Sequence, residues 1–198
     1  MRLTVPRRAG LVEAYRWVET KRGWIEAQLA AFPLPQPIQP GMNIALAGTM
    51  LTLEWDESYP RKPHCDGTNL RIGGPGASLD SRVLRWIKAE ARALLEEESR
   101  VCAAQIGVAL GRVSVGDPVS RWGSCAASGD LRYSWRLILA PCYVRRATVA
   151  HEVAHRVHMN HGQEFHALVA ALHGEDPAPA RRWLRMHGAE LHWFGRAA

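Results

Sequence analysis

Two histidines and a glutamate at a short, fixed spacing are the residues of this sequence best suited to chemistry. His151 and His155 are four positions apart, and Glu152 lies between them in the pattern H-E-x-x-H. On a helix with about 100° of rotation per residue, the two imidazoles differ by roughly 40° and one turn, so they project from the same face. They can share a metal ion there, while the carboxylate contacts a water without being a ligand. The pattern predicts a hydrolytic metal site.

A catalytic zinc site needs a third protein ligand and an open position for water, whereas a closed structural site usually includes cysteine. We expect His161 as the third ligand, on the condition that the helix ends and the chain turns back after His155. Asn160 directly precedes it and tolerates the left-handed conformation of such a turn. His166 in the next helical pattern and Glu190 near the C-terminus are the alternatives.

The helix that carries this pattern is predicted to run from Pro141 to about Met159. Proline suits a first helical turn, where its missing N–H is not needed. One side of the helix is apolar and can pack into a core while the histidines face a cleft. The apolar residues are Val149, Ala150, Val153, Ala154 and Val157.

The remaining elements after residue 76 are predicted to form helices around a small sheet. A long amphipathic helix should begin near residue 78 and run to Ile106, with Gly107 as its stop. A strand over 113–115 is followed by a hairpin of 119–125 with 131–139. Two further helices are predicted over 163–172 and 181–187, the last one stopped by Gly188.

The first third of the chain has a different character. A short strand is predicted over 3–5 and a helical pattern over 11–29, which Gly23 weakens. Four prolines between positions 33 and 40 indicate an extended connector. Strands are predicted over 42–47, 50–55 and 68–72. We therefore predict a β-rich N-terminal lobe over 1–76 and a core over 77–198, both in one domain.

Length and composition restrict the class of protein. With 198 residues, 47% of them hydrophobic and 22% charged, the chain can bury a core. The first residues lack the apolar segment of a signal peptide, and the four cysteines form no CxxC pair. We expect a cytoplasmic protein with reduced thiols and no membrane partner. The net charge of +6 is spread without long basic runs, so nucleic acid is not the favoured partner.

Several motifs, taken in order, resemble the YgjP-like (DUF45) zinc metallopeptidase family, which is similar in turn to SprT-like and other small zincins. The resemblance is strong over residues 78–195 and weak over the first 75. The motifs are Arg121–Cys125, Ser134–Pro141, His151–His155, Met159–His161, and Arg181–Leu184 with His187 and Gly188.

This resemblance implies an α+β, zincin-like fold in which the active-site helix packs under a small, mostly antiparallel sheet. It also implies a Zn²⁺ site with Glu152 as the catalytic base. The implied zinc ligands are His151, His155 and His161. Two positions depart from the family pattern, because Gly162 stands where serine is common and His166 stands where an aromatic residue is common. His166 therefore keeps the ligand assignment open.

The segment before the hairpin turn is the predicted substrate-binding region. Resemblance to zincins implies that an extended substrate pairs with a strand edge here, and we expect Arg121, Trp122 and Ser124 to contact it. The alternative is that Trp122 is a core aromatic residue and Arg121 a structural ion-pair partner. A nucleophilic Ser124 or Cys125 would need a nearby base, and the available histidines are committed to metal, so covalent catalysis is not favoured.

The predicted activity is zinc-dependent hydrolysis of a peptide or protein substrate, with Glu152 accepting the proton of the attacking water. One alternative is a metal-dependent nucleoside triphosphate pyrophosphatase, in which Arg121, Arg136 and the basic segment 181–187 bind phosphates. The other is a non-catalytic, basic, nucleic-acid-associated module with a structural metal.

Overall fold

A computed structural model describes residues 4–6, 10–30 and 32–197. The chain divides into two units, with the boundary between Leu34 and Pro35 inside the proline-rich connector. The four-stranded sheet formed by residues 43–72 belongs to the same unit as the helices and strands that follow it. No described helix is both long enough and apolar enough to cross a membrane.

The first unit contains two helices where the sequence predicts one helical pattern. Helix α1 is Leu11–Thr20 and α2 is Arg22–Ala30. The N–H of Lys21 donates to the carbonyl of Val18, and this tighter turn ends α1. Neither helix contains a buried residue. In the predicted strand over 3–5, Leu3 lies outside the described residues, and the two positions after it form no strand.

The second unit begins with a four-stranded sheet. Its strands are β1 (Asn43–Leu46), β2 (Thr49–Trp55), β3 (His64–Asp66) and β4 (Asn69–Ile72), in the order β1-β2-β4-β3. The ladder between β2 and β4 is parallel, and the other two are antiparallel. Ile44, Leu53 and Ile72 point into a core that the sheet shares with the next helix. The sequence predicts three of these strands and misses β3, whose side chains are all exposed.

A long helix links the two cores of this unit. Helix α3 is Leu79–Gln105, which confirms the predicted helix, and Gly107 follows it with φ +67°. Ile87 belongs to the core beside the first sheet, whereas Leu95, two turns further on, belongs to the core beside the second. The apolar stripe of α3 therefore packs against both sheets.

The second sheet is smaller and mixed. It consists of β5 (Val113–Gly116), β6 (Gly123–Cys125) and β7 (Leu131–Ser134), in the order β5-β7-β6. The β5–β7 ladder is parallel and the β6–β7 ladder is antiparallel. Residues Trp135–Leu139, predicted to continue the last strand, form a buried 3₁₀ helix instead. Their continuous burial produces the apolar run that is also typical of a buried strand.

Three helices complete the fold, and together with the sheets they confirm the α+β class. They are α4 (Cys142–Ala154), α5 (Gln163–His173) and α6 (Ala178–Trp193). Helix α4 ends five residues before the predicted Met159. Helix α6 does not stop at Gly188 but continues through it. A Cβ at that position would lie 2.8 Å from the ring of Trp122, so the glycine provides space for packing and does not end the helix.

Candidate metal centre

The buried face of helix α4 fixes the rotation of the helix about its own axis. Val149, Val153 and Ala154 are at most 2% exposed and pack in the core that α3 and α5 also line. This packing leaves His151 half-buried at the edge of the core. Val157, predicted on the same apolar face, follows the end of the helix and is exposed.

The chain turns back after α4, as the sequence analysis required for a third histidine. The N–H groups of Val157 and His158 both donate to the carbonyl of Ala154, which closes a turn at the end of the helix. His161 then lies in the short connection before α5. Its Nε2 is 3.2 Å from the Nε2 of His151.

Three imidazoles converge at this point. The ligand atoms of His151, His155 and His161 all lie within 4.8 Å of one another. Zinc–nitrogen bonds of about 2.0–2.1 Å at tetrahedral angles separate two ligand nitrogens by roughly 3.4 Å, so the cluster fits a single ion. Nδ1 of His155 is 3.1 Å from the carbonyl oxygen of His158 and donates to it, which leaves Nε2 free for a metal.

A buried phenylalanine forms the floor of this cluster, and the sequence analysis missed it. Phe165 in α5 is fully buried, and its ring centroid lies 4.9, 4.6 and 4.7 Å from those of His151, His155 and His161. Its packing restricts the orientation of all three imidazoles. A signal was present in the sequence, because Phe165 is the only Phe, Tyr or Trp of α5 and follows His161 by four residues.

Burial favours the neutral form of two of these imidazoles. It lowers the pKa of His151 to about 4, and the proximity of His155 and His161 adds to the effect. Burial also lowers the pKa of His155. Neutral imidazole is the form that binds a metal. These two histidines can therefore accept an ion at neutral pH without first losing a proton.

Glu152 lies beside the histidines with only 6% of its surface exposed, and it packs against β6. Burial raises its pKa to about 7, an effect that the positive charge of Arg121 opposes. A carboxyl group with a pKa near neutrality can both accept and release a proton at that pH. A Cβ at Gly123 would come within 2.5 Å of Oε1 of Glu152, so glycine gives the carboxylate its space. No pattern in the sequence singles out Gly123 for this role.

The alternative third ligands lie outside the cluster. The imidazole of His166 is exposed, and its centroid is 6.4 Å from that of His161. Glu190, in α6, lies 3.3 Å from Nδ1 of His187 and pairs with it. Among the described residues, only the three histidines named above form a group of this kind.

The predicted substrate-binding residues line two concavities, and Arg121 borders both of them. Arg121 and Trp122 line a cavity together with His151 and Glu152. Ser124 follows Gly123 in β6 and therefore projects from the opposite face of the strand, where it lines a second concavity with Arg121 and Arg132. Beside it, burial raises the pKa of the Cys125 thiol, which does not favour a reactive thiolate.

Arg136 has a structural position. It is 3% exposed, and its guanidinium donates to both carboxylate oxygens of Asp117 at 2.7 and 3.0 Å. It also donates to the carbonyl of Phe194 at 2.9 Å and to that of Leu191. The group is fully engaged within the protein, so it cannot bind a phosphate as the nucleotide alternative requires.

Comparison with known proteins gives one match. The family model described as "YgjP-like, metallopeptidase domain" matches residues 1–187. The match covers the three histidines, Glu152 and the segment 121–125, and it confirms the resemblance that the motifs indicate. None of the curated proteins and none of the solved structures searched matches the chain.

Proposed function

Because the chain belongs to the YgjP-like metallopeptidase domain family, we propose that it is a zinc-dependent peptidase whose general base is Glu152. Family membership supports a metal-dependent hydrolase acting on peptides or proteins. The zinc, the residues that hold it and the role of Glu152 are the content of the proposal. The observation that carries it is the convergence of three imidazoles beside a buried carboxylate.

The donor set favours zinc over harder cations. Three imidazoles without a thiolate are typical of catalytic zinc sites, whereas calcium and magnesium prefer oxygen ligands. The proposed ligands are His151, His155 and His161, and the carbonyl of His158 orients the imidazole of His155. A zinc ion held there would lower the pKa of an attacking water and polarise the scissile carbonyl.

Glu152 has the position and the pKa that a general base needs. It accepts the proton of the attacking water and afterwards donates it to the leaving amine. Without a bound metal, burial raises its pKa to about 7, and a zinc ion held by the histidines would lower it from there and favour the carboxylate, which is the form that accepts a proton. Contact with Gly123 holds the carboxylate close to the strand edge, and this limits the directions in which it can move.

Strand β6 offers a place for an extended substrate. It lies at the edge of its sheet and pairs with β7 on one side only. A peptide can add to such an edge through backbone hydrogen bonds, which position it without dependence on its side chains. Since Gly123 of β6 contacts Glu152, a peptide bound along this strand passes the general base.

The nucleotide alternative has less support. Of the arginines that it requires, Arg136 is held by Asp117 and backbone carbonyls, whereas Arg121 and Arg181 do border a cavity with His151 and Glu152. In the nucleic-acid alternative the metal is structural, and a structural metal site does not need a buried glutamate beside its histidines. Peptide hydrolysis uses both the carboxylate and the adjacent strand edge, so we favour it.

Glu152→Gln tests the proposal directly. Protein purified without a histidine tag should contain about one zinc per chain, in keeping with a single three-imidazole site. Glu152→Gln should retain this zinc and lose on the order of a hundredfold or more in peptide turnover, because the general base is removed. Metal analysis and cleavage of casein are the two measurements.

His151→Ala and His166→Ala form the matched pair of controls. The first should lose the zinc, whereas the second should keep both zinc and activity, because His166 lies outside the cluster. Full activity of Glu152→Gln, or cleavage of nucleoside triphosphates but not of casein, would contradict the proposal.

A further inference from the structure

A cavity next to the candidate metal centre has two kinds of surface. It encloses about 280 Å³ and lies between α4, β6 and the start of α6. Its inner surface is mostly apolar, and Trp122, Val169 and Leu184 contribute the larger side chains. This volume is near the lower end of the range for ligand pockets, roughly 300–1,000 Å³, so it suits a single side chain better than a whole cofactor.

The walls of this cavity are held by packing. Trp122 stacks on the imidazole of His192, with 5.0 Å between the ring centroids, and packs against the backbone of α6 at Gly188. The hydroxyl of Thr148, which also lines the cavity, donates to the carbonyl of Val144. The apolar surface is therefore preformed and does not depend on a ligand to assemble it.

Two arginines are exposed on the same cavity, from different elements. Arg121 precedes β6, and Arg181 lies in the first turns of α6. Within the described part of the chain, neither guanidinium has a carboxylate within 4.0 Å. This contrasts with Arg136 and Arg145, whose guanidinium groups are paired with Asp117 and Glu98. The cavity thus combines an apolar interior with two positive charges that have no direct ion pair, although Arg121 is close enough to Glu152 to lower the pKa of that carboxyl.

We propose that this cavity binds an apolar side chain of the peptide substrate, and that Arg121 and Arg181 pair with a carboxylate on an adjacent substrate residue. The proposal rests on the peptidase function proposed above and specifies the class of its substrates. An arginine presents several donors in a planar fork that matches a carboxylate, and a bound substrate carboxylate would supply the partner that the protein does not. His151 and Glu152 border the cavity, so the bound residues lie close to the scissile bond.

Binding measured without turnover tests this specificity. Three short peptides, acetylated and amidated at their ends, have leucine between two glutamates, leucine between two glutamines, or glycine between two glutamates. Their dissociation constants are measured by calorimetry on the full chain carrying Glu152→Gln with zinc added. The first peptide should bind on the order of tenfold more tightly than each of the others, since either the ion pairs or the apolar contact is missing from them.

Variants of the two arginines identify the groups responsible. Arg121→Gln combined with Arg181→Gln should abolish the preference for glutamate over glutamine and leave the preference for leucine over glycine. Arg182→Gln is the matched control, because Arg182 is the next residue of α6, is also exposed and does not line the cavity. It should leave both preferences unchanged.

The outcomes separate this proposal from the peptidase function. Equal binding of the glutamate and glutamine peptides, or a preference that survives in the double variant, would overturn the specificity even if casein is cleaved. Tighter binding of ATP than of any peptide, lost in the double variant, would also overturn it in favour of a phosphate ligand. Absence of casein cleavage by the wild-type protein, by contrast, would count against the peptidase function whatever the peptides do.

Discussion

The two sheets of the second unit contain the same three-stranded arrangement, but only one of them borders the candidate metal centre. In each, the first strand is parallel to the third, and the second strand pairs antiparallel with the third at the edge, giving β2-β4-β3 and β5-β7-β6. The edge strand β3 has only exposed side chains, whereas β6 is half-buried and contacts α4. The strand order alone is therefore not sufficient to form a site. What distinguishes the second sheet is that helix α4 packs on its edge strand β6.

The two sheets have different roles in the protein. The first sheet contributes apolar side chains to a core that contains none of the candidate catalytic residues. The second sheet contributes to a core that includes Val149 and Phe165, which hold the metal-site helix and the histidines. Substitutions in the first sheet should change stability alone, and substitutions at β6 should change activity.

Leu53→Ala in β2 should have the largest effect of the substitutions considered, and this effect should be a loss of folding stability. Leu53 is fully buried between the sheet and α3, so its truncation leaves a cavity and costs about 2–5 kcal/mol in the free energy of unfolding. Zinc content and turnover per folded molecule should not change. Urea unfolding and active-site titration measure the two quantities, and a parallel loss of turnover would break the proposed separation.

Gly123→Ala in β6 should have the opposite profile. The new Cβ would approach Oε1, Cγ and Cδ of Glu152 to 2.5–2.8 Å, so the buried carboxylate must move. A displacement of about 1 Å at a catalytic group costs on the order of a hundredfold in turnover. Zinc content should be retained, because the atoms nearest to the new Cβ belong to Glu152 and not to a histidine. Steady-state kinetics and metal analysis on the same preparation check both expectations.

Gly116→Ala in β5, the opposite edge strand of the same sheet, is the matched control for this substitution. The nearest atoms that its Cβ would meet are the terminal guanidinium atoms of Arg132, which can swing aside. Its turnover should stay within about twofold of wild type, as for a surface substitution without a special contact. If both glycine variants lost activity equally, the effect would come from the strands in general and not from Glu152.

The sequence allowed prediction of those features that depend on local spacing. The histidine pair and the long helix α3 are visible because residues three and four apart share a helix face. The sequence predicts a turn before His161 but assigns it to a left-handed Asn160, and that assignment is wrong: among the described residues, Ala47 is the only non-glycine with a positive φ, and Val157 and His158 close the turn on Ala154 instead. These features need no knowledge of which elements become neighbours.

Features that depend on tertiary contacts could not be predicted in this way. Gly188 has the pattern of a helix stop but lies inside α6, where the absence of a side chain makes room for Trp122. Ser124 stays a predicted substrate contact, but the alternation of β6 turns Gly123 towards Glu152, and Ser124 lies in a second concavity with Arg121. Arg136 has the same side chain as Arg121, and only the fold distinguishes a buried ion pair from an exposed cation.

Phe165→Leu should have a smaller effect than Leu53→Ala or Gly123→Ala. Phe165 belongs both to the second core and to the metal centre, so this substitution tests how the two are connected. Leucine keeps the position apolar but removes the ring that contacts all three imidazoles. The histidines then gain freedom that must be lost when zinc binds, and we expect zinc affinity to fall about tenfold, the lower range for residues that orient ligands. Competition with a chromophoric chelator measures this.

Leu172→Ala, in the same helix and the same core but away from the histidines, separates the two effects of such a change. It should lower stability without changing zinc affinity, because Leu172 packs against the second core from outside the histidine cluster. If Phe165→Leu lost stability and kept its zinc affinity, the imidazoles would be held by α4 and the connection before α5 alone. The second core would then support the metal centre only through the rotation of α4, in the way that any core fixes a helix.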